Sequence, residues 1–227
     1  MVTGGDGGAI ATRETPPIPG LYVFAEGLPY GVAEAALGGI AEDDLFSGGK
    51  RDQVMLFDRH IEDKDYDPIL DDRESSLPPY ILALLTEVDK MISPQLPQSV
   101  ATAIFDQSLS RQVIINLYPP GEGISPHIDL PHRYADGILG VSLCGGCAMT
   151  LRHARTGEEH HVYLPSGSVY CLTGEARWEW SHGIEGGMVD VVQDMQGRRT
   201  TLMRELRVSV TFRWMTEGAD ELVELAS

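Results

Sequence analysis

Val113-Ile114-Ile115-Asn116-Leu117-Tyr118-Pro119-Pro120-Gly121-Glu122-Gly123-Ile124-Ser125-Pro126-His127-Ile128-Asp129 is the stretch on which the fold turns. It opens as a run of β-forming residues, is broken by Pro119-Pro120-Gly121, and resumes in an extended segment that carries a histidine and an aspartate. The same texture recurs from Arg111 onward, with short β runs at 112–118, 138–143, 147–152, 160–164, 168–173, 177–182 and 205–214. Closely spaced strands with Pro and Gly between them indicate a sandwich or jelly roll. Upstream, the spacing of Ile81, Leu84, Leu85, Val88 and Ile92 behind Pro78-Pro79 predicts a helix with one apolar face, ended at Ser93-Pro94. Gly31 to Ile40 predicts another helix, Leu21 to Phe24 a strand, and Val54 to Phe57 a short strand after the turn at Gly48-Gly49. The expected class is mainly β with flanking helices.

Chemistry collects around the opening stretch. His127 and Asp129 are two residues apart, so on an extended chain their side chains leave the same face and can chelate. His182, in Trp178-Glu179-Trp180-Ser181-His182-Gly183-Ile184, lies 55 residues on. Two imidazoles and one carboxylate make the facial triad of non-haem Fe(II) oxygenases, which leaves three positions open for a bidentate cosubstrate and O2. A lone His-x-Asp also occurs as a hydrogen-bonded loop histidine, so the pair takes its meaning from its neighbours.

Those neighbours are basic and polar. In Arg207-Val208-Ser209-Val210-Thr211-Phe212-Arg213, strict alternation puts Arg207, Ser209, Thr211 and Arg213 on one face and the apolar residues on the other. Two settings satisfy that pattern: an outer strand with its polar face in water, or an inner strand whose arginines point at a ligand. The arginines stand about 20 Å apart along the strand, and long side chains leaning inward can grip both ends of a small dicarboxylate. Paired N–H donors suit carboxylates, which is why Arg rather than Lys is wanted. Asn116 and Tyr118 share a face of their own strand and offer neutral hydrogen bonds to the same molecule.

Taken together, Asn116 to Asp129, then Trp180-Ser181-His182-Gly183-Ile184, then Arg207 to Arg213 resemble the signature of the AlkB dioxygenases in order and spacing. The resemblance covers about residues 111–214 and implies a double-stranded β-helix jelly roll, preceded by an extension at 19–110, within one domain spanning 19–227. It implies His127, Asp129 and His182 as iron ligands, and Arg207 on the distal carboxylate of 2-oxoglutarate with help from Tyr118. Arg213 and Asn116 fall near the keto-acid end, and Ser209, between the arginines, is counted with this group. Family members convert 2-oxoglutarate and O2 to succinate and CO2 while hydroxylating a substrate carbon; hydroxylated N-methyl groups then leave as formaldehyde. Leu139 to His153, with Ser142-Leu143 and Met149 expected in paired strands, also looks like the eukaryotic AlkB homologues, including the branch acting on tRNA.

Other candidates compete for these roles. Cys144-Gly145-Gly146-Cys147 has no second cysteine pair for zinc and no thioredoxin-like setting, so it reads as a glycine-containing hairpin. His132 is expected near the pocket mouth, and His160-His161 in an exposed turn.

Substrate signals are mixed. In the AlkB family the segment before the core forms a lid over the target nucleotide, which here corresponds to about Ser47 to His60 with Lys50, Arg51, Arg59 and His60. Trp178 and Trp180 alternate with His182, so one of them is a candidate to border the pocket and stack on a base. Against nucleic acid stands the net charge of −17, which excludes tight nonspecific duplex binding but leaves room for a local basic patch. The bacterial founder of the family carries a base-contacting acidic residue two positions after the metal aspartate; Pro131 stands there. Two substrate classes remain open: N-alkylated bases in single-stranded DNA or RNA, tRNA included, and a protein side chain or small molecule.

Composition sets the frame, with 227 residues, 42% hydrophobic and 22% charged, as in ordinary globular chains. The first 18 residues are rich in Gly, Pro and Thr and read as a mobile tail. The N-terminus lacks the features of a secretory signal, and the longest apolar runs fall far short of the ~20 residues of a membrane span. With three cysteines and no disulfide framework, an intracellular setting in cytoplasm or nucleus is expected.

Overall fold

The structure, a computed structural model, describes residues 9–58 and 76–219. In chain order, strands β1 (Ile10–Thr12) and β2 (Leu21–Phe24) precede helix α1 (Tyr30–Glu42) and β3 (Gln53–Asp58). Helices α2 (Pro79–Ile92) and α3 (Gln98–Phe105) follow, then β4 (Arg111–Tyr118), β5 (Ile124–His127), β6 (Tyr134–Cys144), β7 (Cys147–His153), β8 (Glu159–Leu164) and β9 (Val169–Leu172). A short helix α4 (Gly174–Trp178) leads to β10 (Trp180–Ile184), β11 (Val189–Gln193), β12 (Arg199–Met203) and β13 (Arg207–Met215).

The strands form two sheets, one of seven in the order β12-β11-β1-β8-β7-β10-β5 and one of six in the order β2-β9-β6-β13-β4-β3. Facing each other, they make the jelly roll that the strand pattern implied. β13 lies inside the six-stranded sheet, antiparallel to both β4 and β6. Its apolar face, Val208, Val210 and Phe212, packs with Val113, Ile115 and Val141 against α1, α2 and α3. The helix residues buried there are those at 3–4 spacing: Ile81, Leu84, Leu85, Val88 and Ile92 of α2. Burying each such side chain stabilises the fold by about 1.5–3 kcal/mol. A second cluster fills part of the space between the sheets, from Ile138 and Leu172 across to Leu151, Val162 and Trp180.

The polar face of β13 is not in water: Arg207 is 5% exposed and Ser209 6%. It points into the gap between the sheets. The outer-strand alternative is thereby removed, and the alternation in 207–213 records two different interiors, one greasy and one polar.

Several sequence expectations are corrected. Ile10–Thr12 lies within the expected mobile tail but forms β1, a parallel strand inserted between β8 and β11 with Ala11 fully buried. Three residues are too few to show a period, and pairing on both edges satisfies their backbone groups. Residues 177–182, expected as one strand, divide into the end of α4 and most of β10. β6 and β7 are not paired with each other, because β6 belongs to one sheet and β7 to the other. Cys144-Gly145-Gly146-Cys147 is therefore a crossover and not a hairpin. Gly145 there has φ 68°, and a Cβ would fall 2.5 Å from the Leu206 carbonyl oxygen, so only glycine fits. Cys144, Cys147 and Cys171 are all free thiols. No helix among the described residues is long and apolar enough to cross a membrane.

Candidate active site between the two sheets

β5 and β10 pair antiparallel with His127 directly opposite His182. Their ring centroids are 4.5 Å apart. The strands approach closely beside this pair, since a Cβ on Gly183 would lie 2.8 Å from the Pro126 nitrogen. Asp129 follows two residues after His127, and its Oδ2 is 3.6 Å from His182 Nε2. The candidate ligand atoms of all three lie within 4.8 Å of one another. Ligands about 2.1 Å from one ion stand at most ~4.2 Å apart, so small side-chain rotations gather this set around a metal.

The protonation pattern suits that task. His127 Nδ1 lies 2.9 Å from the Ser125 carbonyl oxygen, which can only accept, so Nδ1 carries the proton and Nε2 offers a lone pair. Burial, reinforced by His127 and Arg177, pushes His182 down to about 3 and keeps its ring neutral. Asp129 is buried and accepts from Arg213 through Oδ1, leaving Oδ2 on the His182 side. Arg213 also donates to Gln112 Oε1 and stacks 3.8 Å from the centroid of the Tyr134 ring. Burial lowers its pKa to about 10, which leaves it cationic at neutral pH. Behind the aspartate, the buried Arg177 donates to the carbonyl oxygens of Asp129 and Tyr134, each at 2.9 Å, and of Ala135 at 3.2 Å. The backbone leaving Asp129 is thus held from the rear.

A cavity of about 260 Å³ opens from these residues toward Arg207, with Asn116, Tyr118, Tyr170 and Ser209 also in its wall. Arg207 Nη2 donates to Ser142 Oγ at 3.1 Å, and its guanidinium sits 5.5 Å from the Tyr118 ring centroid. The Nε atoms of Arg207 and Arg213 are buried and find no hydrogen-bond partner among the described residues. An unmet buried donor costs about 1–3 kcal/mol, and two in one cavity suit a molecule with carboxylates.

The description "2OG-Fe(II) oxygenase superfamily" matches residues 56–213. The chain belongs to that superfamily. This oxygenase is AlkB-like, 32% identical to the mimivirus "Uncharacterized protein L905" over 62% of the chain and 65% of that protein. It is 36% identical to the Xenopus tropicalis "tRNA (carboxymethyluridine(34)-5-O)-methyltransferase alkbh8" over 45% of the chain and 18% of that protein. With the Arabidopsis thaliana "Alkylated DNA repair protein ALKBH8 homolog" the figures are 33%, 57% and 42%. The chain thus spans less than two thirds of these relatives' length. Among solved structures, a Pseudomonas putida prolyl-4-hydroxylase superposes with TM-score 0.51 at 17% identity, covering 88% of this chain and 94% of that one. That likeness concerns the fold.

Membership of the superfamily implies Fe(II), 2-oxoglutarate and O2 as cofactors. The facial donor set fits the metal, and the paired arginines with unmet Nε donors fit the dicarboxylate. Asn116 and Ser209 lie opposite each other on β4 and β13, and Asn116 Oδ1 accepts from Gln53 Nε2 at 2.7 Å. Every residue expected at the metal or cosubstrate therefore lines one cavity: His127, Asp129, His182, Asn116, Tyr118, Arg207, Ser209 and Arg213.

The substrate candidates scatter. Lys50 and Arg51 are exposed just before β3, whose Gln53 and Met55 reach the cavity wall. Arg59 and His60 lie outside the described residues. Trp178 ends α4, 38% exposed and 4.1 Å from the Arg177 guanidinium. Trp180 is buried in the core between the sheets, its indole N–H donating to Glu175 at 3.1 Å. Neither tryptophan lines the cavity: α4 takes Trp178 out of the strand, and Trp180, although it shares a strand with His182, is taken up by the apolar core beside it. His132 is exposed and also lies off the cavity wall. His160 and His161 are in strand β8, paired with Glu158 and Glu159 at 3.0 Å each.

Sequence reasoning passed over Tyr170, Gln53, Gln112 and Arg177. Tyr170 sits in the fully buried run Val169–Leu172, where no alternation marks which side faces the cavity. Burial raises its hydroxyl to about 12, so it stays a neutral donor. Arg177 carries no signal at all, being one charged residue in a short helix.

Proposed function

We propose that this oxygenase removes N-alkyl groups from nucleobases in single-stranded DNA or RNA, tRNA included, by hydroxylating the alkyl carbon. The observation that carries the reading is the cationic step Lys50-Arg51 beside a cavity wall built from β3, on an otherwise acidic chain. It can seat one or two phosphates while an extruded base enters between the sheets. Relatives named for tRNA modification and for alkylated DNA repair support the same substrate class.

Bound Fe(II) with 2-oxoglutarate and O2 supplies the oxidation that places oxygen on a substrate carbon. In this reading, His127, Asp129 and His182 hold the metal, with His127 fixed in its tautomer by the Ser125 carbonyl. Arg207 and Tyr118 anchor the distal carboxylate, and Arg213 aligns Asp129. Tyr170 and the walls of both sheets shield the reacting end from water. A hydroxylated N-methyl group then breaks its C–N bond and departs as formaldehyde, returning the free base nitrogen.

A second reading, hydroxylation of a protein side chain or small molecule, is favoured by the net charge of −17. Succinate formation with N-methylated, ethylated and unmodified oligonucleotides separates the two. Alkylated oligonucleotides are expected to raise succinate and release an aldehyde. The Lys50→Glu/Arg51→Glu double variant should need about tenfold more oligonucleotide at low salt, with substrate-free turnover unchanged. Equal succinate with every oligonucleotide would sink the nucleic-acid reading.

A further inference from the structure

Outside the cavity, Arg204 and Asp190 form a buried charged pair that does not touch the candidate ligands. Arg204 follows β12 and faces Asp190 of β11, their side chains 7% and 5% exposed. Its Nε and Nη2 donate to the two oxygens of the Asp190 carboxylate at 2.9 and 2.7 Å, the bidentate geometry that only arginine provides. The remaining Nη1 donates to two backbone carbonyls, of Glu122 and of Glu185. Those carbonyls belong to the segments that carry the metal site. Glu122 leads into β5 five residues before His127, and Glu185 follows β10 three residues after His182.

The two segments touch at this point: a Cβ on Gly123 would lie 2.1 Å from the Ile184 carbonyl oxygen. Arg204 is also three residues before Arg207, and both line a small cavity with Tyr118. One guanidinium therefore ties together the approach to His127, the exit from His182 and the start of the strand that presents Arg207. Its own position is fixed by Asp190 and by its backbone N–H on the Met188 carbonyl, 2.9 Å away.

We infer that Arg204, held by Asp190, is a positioning residue that sets the distance between the two metal-bearing strands and the place of Arg207. The inference rests on the reading of His127, Asp129 and His182 as metal ligands. Groups hydrogen-bonded directly to metal ligands govern affinity by about 10–100-fold, and Arg204 acts one step further out, through the backbone of both strands.

The test is calorimetric titration of the metal-stripped full chain with Co(II), together with the 2-oxoglutarate requirement for succinate formation. His127→Ala is the control for the ligand reading; if it binds Co(II) like the wild type, that reading fails, whatever Arg204 does. With that control passed, Arg204→Ala, Arg204→Lys and Asp190→Asn are each expected to weaken Co(II) by about three- to tenfold, below the effect of losing a direct ligand partner, and to raise the 2-oxoglutarate requirement. Val192→Ala, a core change in the same hairpin, should lower the melting temperature yet keep Co(II) affinity. Wild-type Co(II) affinity in the arginine variants, or equal weakening in Val192→Ala, would overturn the inference. If Arg204→Ala does not fold, Arg204→Lys decides, since it keeps the charge but loses the fork.

Discussion

The six-stranded and seven-stranded sheets divide the chemistry between them. The first supplies Arg207, Ser209, Asn116 and Tyr118, the groups proposed to hold the cosubstrate, from long central strands backed by three helices. The second supplies the histidines from strands of four and five residues, β5 and β10, with β5 at the sheet edge. Rigidity on one side comes from apolar packing. On the other it comes from polar ties: Arg177 on the backbone after Asp129, Arg213 on its carboxylate, and Arg204 across the two strand ends. A short edge strand cannot bury enough apolar surface to fix its own position, so buried arginines take over that work.

The sharpest way to break this division is to strike each sheet separately. His127→Ala on the seven-stranded side should cut succinate formation by about a thousandfold, the several kcal/mol a metal contributes. Turnover surviving in that variant would refute the ligand assignment. Ala11→Arg places a charge where β1 is fully buried between β8 and β11. An unpaired buried charge costs about 3–5 kcal/mol, so melting should fall by roughly 10 °C in a thermal scan; an unchanged melt would mean that β1 does not hold the sheet together.

Arg207→Ala on the six-stranded side should raise the 2-oxoglutarate requirement by about 10–100-fold, as expected for lost charge-assisted hydrogen bonds. Arg207→Lys should recover only part of it, and an unchanged requirement would remove Arg207 as anchor. The smallest effects come from neighbours on opposite faces of β13. Val210→Ala, facing the helices, should cost about 2 kcal/mol in denaturant unfolding and little in cosubstrate affinity. Ser209→Ala should do the reverse, leaving stability nearly unchanged and weakening 2-oxoglutarate a few-fold. If the two variants behaved alike, the two-interior account of that strand would fail.

The asymmetry between the sheets also explains what could be read without coordinates. The stretches 112–118 and 205–214 were legible because a long β run and strict alternation have no competing periodicity, and Val54 to Phe57 because the Gly48-Gly49 turn feeds it. Ile10–Thr12 was not, because it is short and pairs with distant strands, and neither were 189–193 and 199–203, a local hairpin whose few buried residues leave no apolar pattern. Helix α3, eight residues beginning after Pro97, was equally silent. The tryptophan expectation failed for two reasons, since α4 takes Trp178 out of the extended chain and core packing claims Trp180.

The residue types and spacings alone picked out His127, Asp129 and His182 as candidate ligands, the arginine pair and the β class, because metal and carboxylate chemistry tolerate few substitutes and a strand's period of two shows which residues share a face. Tertiary structure decided everything that needs two distant segments at once. It set His127 opposite His182, turned the polar face of β13 inward, and gathered Glu122, Glu185 and Asp190 around one guanidinium. The physical reason is that a hydrogen bond or an ion pair across a fold leaves no periodic trace in either of the segments it joins.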